Sequence, residues 1–305
     1  MKLGFMGLGV MGRPMALNLM KHGHEMGVYT RRAESAEPLI AAGARYHATP
    51  AALAAQCEVV FSMVTTSRDV EEVALGEHGF IHGAKPGSVL VDMETISPEV
   101  ARAISRALAS RGLDMLDAPV SGGPAGAEQA TLSIMVGGAA RVFERVRPLF
   151  ECLGTTVLHM GGAGAGQTTK ACNQLALLVT AQGVAEALTL ARRNGLDAAR
   201  VREVMLTGIA GSRVLDLFGK RMAERDFVAG IEARLYHKDL GIVLDLAHAL
   251  GQGLPAAALV MQQINALVGQ GGGHDDLSAL LRIVEALGPA DAAGANVNSK
   301  PRGQS

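Results

Sequence analysis

Lys2-Leu3-Gly4-Phe5-Met6-Gly7-Leu8-Gly9-Val10-Met11-Gly12 opens the chain, and Arg13–Lys21 continues it with a helical pattern. An apolar run of strand length, glycines spaced G-x-G-x-x-G and a helix start follow one another directly. Each glycine has a physical task in such a turn. Gly7 allows the tight reversal, Gly9 lets backbone approach a pyrophosphate, and Gly12 lets the helix pack close to the strand. The helix start offers free N–H groups and a partial positive charge to phosphates. In this strand–helix context the loop Gly7–Gly12, with Leu8, Val10 and Met11 inside it, points to dinucleotide binding; a structural glycine turn is the alternative. The glycines also break up what could pass for the apolar stretch of a secretion signal.

Working outward, the next candidate strand, Glu25–Tyr29, ends in Thr30-Arg31-Arg32. An NAD-preferring site usually ends that strand in an acid that holds the ribose 2′-hydroxyl. An arginine can instead hold a 2′-phosphate with two charge-assisted bonds. The expectation is NADP(H) in preference to NAD(H), with a solvated charge pair as the other reading. Further candidate strands are Val59–Val64, whose Met63 and Val64 are counted with the cofactor-binding residues, Ser88–Met93, Met115–Ala118 and Leu132–Val136. Helical patterns such as Pro98–Arg111 lie between them. Such alternation predicts a mainly parallel sheet covered on both faces, a Rossmann-type domain over residues 1–162. Four glycines then fall within Gly161–Gly166, and Gln167–Arg193 reads as one helix of about 40 Å, apolar nearly all round and therefore buried. The helical pattern persists to Leu287. The fold class is α/β: a Rossmann-type N-terminal domain, a long connecting helix and an all-α C-terminal domain over 163–289, with 290–305 read as a flexible tail.

The bulk properties exclude several classes. A hydrophobic share of 49% against 19% charged residues gives ample core and rules out disorder as the main state. A net charge of -1 gives no reason to expect nucleic acid or an anionic membrane as partner. No run of 18 apolar residues occurs, so no membrane span is expected. Cys57, Cys152 and Cys172 are odd in number and far apart, which suits reduced thiols in the cytoplasm. No histidine set has metal-ligand spacing, and no metal is expected. His274-Asp275-Asp276 reads as a helix start with an aspartate cap.

Two further stretches carry chemistry. In Asp117-Ala118-Pro119-Val120-Ser121-Gly122-Gly123, at a strand end, the Ser121 hydroxyl and the backbone N–H groups of Gly122 and Gly123 can bind a carboxylate; an ordinary glycine turn is the alternative. Lys170 lies in the first turn of the predicted long helix, with Asn173 and Gln174 at i+3 and i+4 on its face. A lysine there opposes the helix dipole. It is either a surface residue or a proton-transfer group tuned by burial and neighbouring charge.

Gly7–Gly12, Asp117–Gly123, the segment Gly164–Gln174 and the pair Lys238-Asp239, in this order, resemble the β-hydroxyacid dehydrogenases over about Lys2 to Leu287. The resemblance implies Lys170 as the catalytic lysine, Ser121, Gly122 and Gly123 as the clamp on a substrate carboxylate, and Asn173 as an amide that orients the substrate. It implies Thr95 as a cofactor contact near the nicotinamide, and Lys238, with Asp239 beside it, closing over the cofactor. It further implies a small hydroxy acid or semialdehyde as substrate and a homodimer or homotetramer. Gly208–Asp216 and Leu75–Ser88 look most like the members that reduce tartronate semialdehyde; Lys238–Asp245 looks also like those that oxidise threonate, and 3-hydroxyisobutyrate is a further alternative. Glu94 stands where many members carry a small hydroxyl residue. A non-catalytic dinucleotide-binding module, the reading from another class, has no need of Lys170 or Asn173.

Overall fold

The computed structural model describes residues 1–289; the expected tail at 290–305 lies outside them. The chain forms two compact units, one of Met1–Leu178 with Leu235–Ala258, the other of Val179–Arg234 with the chain from Leu259 onward.

The first unit is built on one sheet. Its strands are β1 (Lys2–Met6), β2 (Glu25–Tyr29), β3 (Arg45–Tyr46), β4 (Val59–Ser62), β5 (Val89–Asp92), β6 (Asp114–Asp117), β7 (Val120–Ser121), β8 (Leu132–Gly138) and β9 (Gly154–Gly161). The order is β3-β2-β1-β4-β5-β6-β8-β7, with β9 on the far side of β8. From β3 to β6 all pairings are parallel, and β8 runs antiparallel to β6. Parallel strands covered on both faces read as continuous apolar runs, and β4 and β5 are buried throughout. Their side chains still alternate between faces. Leu3, Phe5, Val59, Phe61, Val89 and Val91 pack into one core with Met15 and Leu19 of helix Gly12–Lys21 and Val146 and Phe150 of helix Ala140–Phe150. Met6, Val60 and Leu90 enter a second core with Val70 of helix Ser67–Leu75 and Ile104 and Leu108 of helix Pro98–Ala109. This doubly wound arrangement is the α/β fold expected.

The reversal of strand order between β1 and β4 opens a crevice at the carboxyl ends of the strands, where such sheets bind ligands. The loops after β1, β2, β4 and β5 all end there. Caps fix where the helices begin: Thr66 and Asp69 form a reciprocal capping box ahead of Ser67–Leu75, and Ser97 caps Pro98–Ala109.

Three strands go beyond the sequence reading: β3, β7 and β9. Strand β9 lies at the sheet margin with Leu158 and Met160 exposed, so it has neither the alternation of a half-buried strand nor the apolar run of a buried one. The long helix runs Ala165–Arg193, two residues earlier than read, which puts Lys170 in its second turn rather than its first. By length and composition alone this helix could cross a bilayer. Buried Gln167, Lys170, Gln174 and Gln182 along it identify it instead as an interior helix.

The second unit is helical. It holds the second half of the long helix, Ala198–Thr207, Lys220–Glu224, most of Pro255–Gly269 and Leu280–Ala286. Asp276 caps the short helix Leu277–Ala279 through Ser278 N–H, as its sequence context implied, and its other oxygen meets Arg221 at 3.1 Å.

Candidate active site

The glycine loop has the geometry its spacing implied. Gly7 sits at φ +87°, and a Cβ there would lie 2.3 Å from the carbonyl oxygen of Met63. A Cβ on Gly12 would lie 1.9 Å from the oxygen of Gly7, so only glycine lets the helix approach this closely. A Cβ on Gly9 would meet nothing within 4 Å. The middle glycine therefore faces open space, which fits a loop whose backbone must meet a pyrophosphate. No side chain caps the helix that follows. Leu8 is buried, Val10 exposed and Met11 half-buried, while Met63 and Val64 are half-buried after β4.

After β2, Thr30 is half-buried and Arg31 and Arg32 are exposed. Arg31 forms an ion pair with Asp69 at 3.1 Å, its own side chain 75% exposed. An open pair of this kind is worth less than about 1 kcal/mol, so an anion of higher charge can compete for the guanidinium.

The lysines lie deeper. Lys170 is buried, yet its ammonium makes no hydrogen bond or ion pair among the described residues. Burial draws its pKa below the ordinary lysine value; Asp239 and Glu94 oppose the shift, and Lys238 adds to it. Lys238 is the opposite case. Its Nζ donates to the Thr95 oxygen at 2.7 Å, the Thr65 oxygen at 3.1 Å and Glu94 Oε1 at 3.1 Å, and lies 3.3 Å from Asp239 Oδ1. Burial alone would lower its pKa, but the two carboxylates outweigh that and hold it above the ordinary value. Burial pushes the Glu94 carboxyl up to about 7, against the pull of Lys238.

A network of amides frames this cluster. Gln174 Nε2 donates to Asp239 Oδ2 at 2.6 Å, and Asn173 Nδ2 donates to Gln174 Oε1 at 3.0 Å. Gln167 fixes the loop after β5: it donates to the Glu94 oxygen and accepts from Ile96 N–H. Asp117, buried at the end of β6, accepts from Gly164 N–H at 2.7 Å and Gln167 N–H at 2.9 Å. It thus holds the start of the long helix against the sheet.

The structure therefore joins Thr95, Lys238, Asp239 and Asn173 in one bonded network with Lys170 within its electrostatic reach. Ser121 lies on β7, with Gly122 at φ +133° and Gly123 at φ +63° after it; among the described residues they share no hydrogen bond with that network. The roles of Asp117, Gln167, Gln174 and Thr65 went unread. Asp117 was visible only as the first residue of a glycine-containing run, and its partners lie 47 and 50 residues away.

Comparison with known proteins bears on this geometry. Residues 2–162 match the family model for the NAD binding domain of 6-phosphogluconate dehydrogenase, and residues 164–284 that for the NAD-binding region of NADP-dependent 3-hydroxyisobutyrate dehydrogenase. The 2-hydroxy-3-oxopropionate reductase of Escherichia coli strain K12 is 42% identical over 287 residues, covering 94% of this chain and 98% of that one. The NAD-dependent L-serine dehydrogenase of Pseudomonas aeruginosa is 38% identical, covering 93% and 98%. The solved structure of Mycobacterium tuberculosis 3-hydroxyisobutyrate dehydrogenase with L-serine superposes with a TM-score of 0.84 at 31% identity, covering 92% of this chain and 98% of its own. Two models matched in succession, and relatives aligned nearly end to end, mean that the chain belongs to the 3-hydroxyisobutyrate dehydrogenase-like family of β-hydroxyacid dehydrogenases, oxidoreductases that act on the CH–OH group of hydroxy acids with a nicotinamide dinucleotide.

Proposed function

We propose that this protein reduces tartronate semialdehyde (2-hydroxy-3-oxopropionate) to glycerate with NADPH, and that Lys170 is its general acid. The observation that carries the chemistry is a buried lysine whose ammonium makes no hydrogen bond or ion pair among the described residues, at the position the family resemblance gives to the catalytic group. Its lowered proton affinity suits a group that must release a proton and regain it. Lys170 Nζ donates to the carbonyl oxygen as that oxygen gains charge, and in the oxidation direction takes the proton back from the hydroxyl. Hydride supply belongs to the nicotinamide; the chain's own residues orient the substrate and polarise its carbonyl. Ser121 and the N–H groups of Gly122 and Gly123 hold the carboxylate, and Asn173, braced by Gln174, orients the substrate. Gly7–Gly12, Met63, Val64, Thr95 and Lys238 with Asp239 bind the cofactor.

The substrate assignment is supported by the Escherichia coli relative, the most similar of those compared above. The test is the loss of near-ultraviolet absorbance of reduced nicotinamide with tartronate semialdehyde, beside 3-hydroxyisobutyrate, threonate and L-serine in the oxidation direction. Activity confined to one of the latter three overturns the substrate and leaves the chemistry standing. No activity on any of them, with NADPH still bound, favours a non-catalytic module.

The preference for NADPH rests on Arg31 and Arg32 and on the absence of an acid after β2. Arg31→Ala is expected to raise the KM for NADPH about tenfold, the low end for a hydrogen bond to a charged group at an exposed site, and to leave the KM for NADH nearly unchanged. Equal effects on both cofactors would remove the arginine from 2′-phosphate recognition.

We also propose a homodimer or homotetramer, since Leu190, Leu196 and Val204 stand exposed in the helical unit. Light scattering on the purified protein is expected to give at least twice the chain mass.

A further inference from the structure

We propose that Glu94 is a positioning residue for proton transfer at Lys170: it ties Lys238 to the loop after β5 and balances the charge of the two lysines. The proposal rests on the reading of Lys170 given above.

The argument begins with the three N–H bonds of the Lys238 ammonium. Its three acceptors come from two loops: the Thr65 oxygen after β4, and the Thr95 oxygen and Glu94 Oε1 after β5, reached from helix Ala233–Ala249. The donors are thereby used up. A serine at position 94 would be two bonds shorter and uncharged. The lysine would then lose its one anionic partner from the sheet side and keep only Asp239, its neighbour in sequence.

The second part is charge. The groups that face Glu94 are Lys238 and Asp239 from helix Ala233–Ala249, Lys170 from the long helix, and Asp92 at the end of the strand that precedes it. Asp92 is fully buried and accepts from the Ser62 hydroxyl at 3.0 Å, and burial pushes its carboxyl well above the usual carboxylate range. With both lysines protonated and Glu94 and Asp239 ionised, the cluster is neutral. Neutralising Glu94 leaves one excess positive charge. Lys238 has acceptors on every N–H and the Lys170 ammonium has none among the described residues, so Lys170 is the group that yields its proton more readily.

This fixes the sign of the test. Rates are measured against pH in both directions, with tartronate semialdehyde and with glycerate, for the wild type, Glu94→Gln, Glu94→Asp and Lys170→Ala. Reduction needs Lys170 protonated, so its alkaline limb reports that group; oxidation needs it free, so its acidic limb does. In Glu94→Gln both limbs are expected to move to lower pH together, by about one unit, the low end of what a neighbouring opposite charge imposes. Glu94→Asp, which keeps the charge, is expected to restore them most of the way. Because burial pushes Glu94 itself up to about 7, the wild type should also show an ionisation near that pH in reduction that Glu94→Gln lacks. If Glu94→Gln does not fold, Glu94→Ser makes the same prediction with less volume to place. A Glu94 that serves only packing would lower both plateaus and leave both limbs in place, and that result overturns the proposal while the role of Lys170 stands. If Lys170→Ala keeps both limbs and the wild-type rate, the assignment of Lys170 falls, and this proposal with it.

Discussion

Lys170→Ala is expected to fold, bind NADPH with nearly unchanged affinity, and turn over about 10²–10⁴ times more slowly than the wild type, the usual contribution of a positioned general acid. The loss should fall on kcat more than on KM, because the proton is needed in the transition state and not in the ground state. Lys170→Arg sharpens the test. A guanidinium keeps the positive charge but does not release its proton near neutral pH, so it is expected to leave kcat close to that of the alanine variant. Stability should move the other way. The pKa of Lys170 is depressed by burial in the folded protein, so between that value and the ordinary lysine value the unfolded chain binds more protons, and stability rises with pH through that window. Removing the ammonium abolishes this dependence. Lys170→Ala is therefore expected to melt no lower than the wild type at neutral pH, with the wild type gaining on it as the pH rises. A variant that retains activity within a few-fold would remove Lys170 from the chemistry.

The objection that a lysine near a helix start opposes the dipole is answered by residues that its sequence context did not reveal. Asp117 supplies the acceptor at that terminus, accepting from Gly164 and Gln167, and the earlier start of the helix at Ala165 places Lys170 two residues further in, in the second turn. The glycine loop could be read from sequence because its spacing is local: Gly12 would clash, if substituted, with the backbone of Gly7 inside the same strand–turn–helix unit, although the clash at Gly7 itself is with Met63 after β4. Lys170, Asn173 and Gln174 shared a face by spacing alone. The contacts of Glu94 with Lys238 and of Gln174 with Asp239 span 144 and 65 residues, and nothing in the local pattern of either segment marks them. Glu94 stood out only as a departure from the family, and its significance came from the ammonium it meets. Strand β9 shows the same limit in the sheet, since an edge strand exposed on both faces carries little pattern to read.

Asp117→Ala is expected to cost about 3–6 kcal/mol of stability, as two hydrogen bonds to a buried carboxylate at about 1.5–3 kcal/mol each. That is a large fraction of the roughly 5–15 kcal/mol that holds a native protein together. The packing around the carboxylate leaves little room to compensate. A Cβ on Gly137 would lie 2.5 Å from Asp117 Oδ1, and one on Gly166 would lie 2.4 Å from the Asp117 backbone oxygen. Strands β6 and β8 and the helix start therefore meet almost backbone to backbone. Asp117→Asn keeps the shape but offers one acceptor oxygen for two donors, so about half the loss is expected. The measurement is the denaturant midpoint, with the slope of the transition checked for constancy so that the shift reads as stability. Activity should fall with it, because the same anchor positions Lys170 through the helix and Glu94 through Gln167. A stability within about 1 kcal/mol of the wild type, as for an ordinary surface substitution, would show that the helix start is held by other means. A normal midpoint with lost turnover would move Asp117 out of the scaffold and into the reaction.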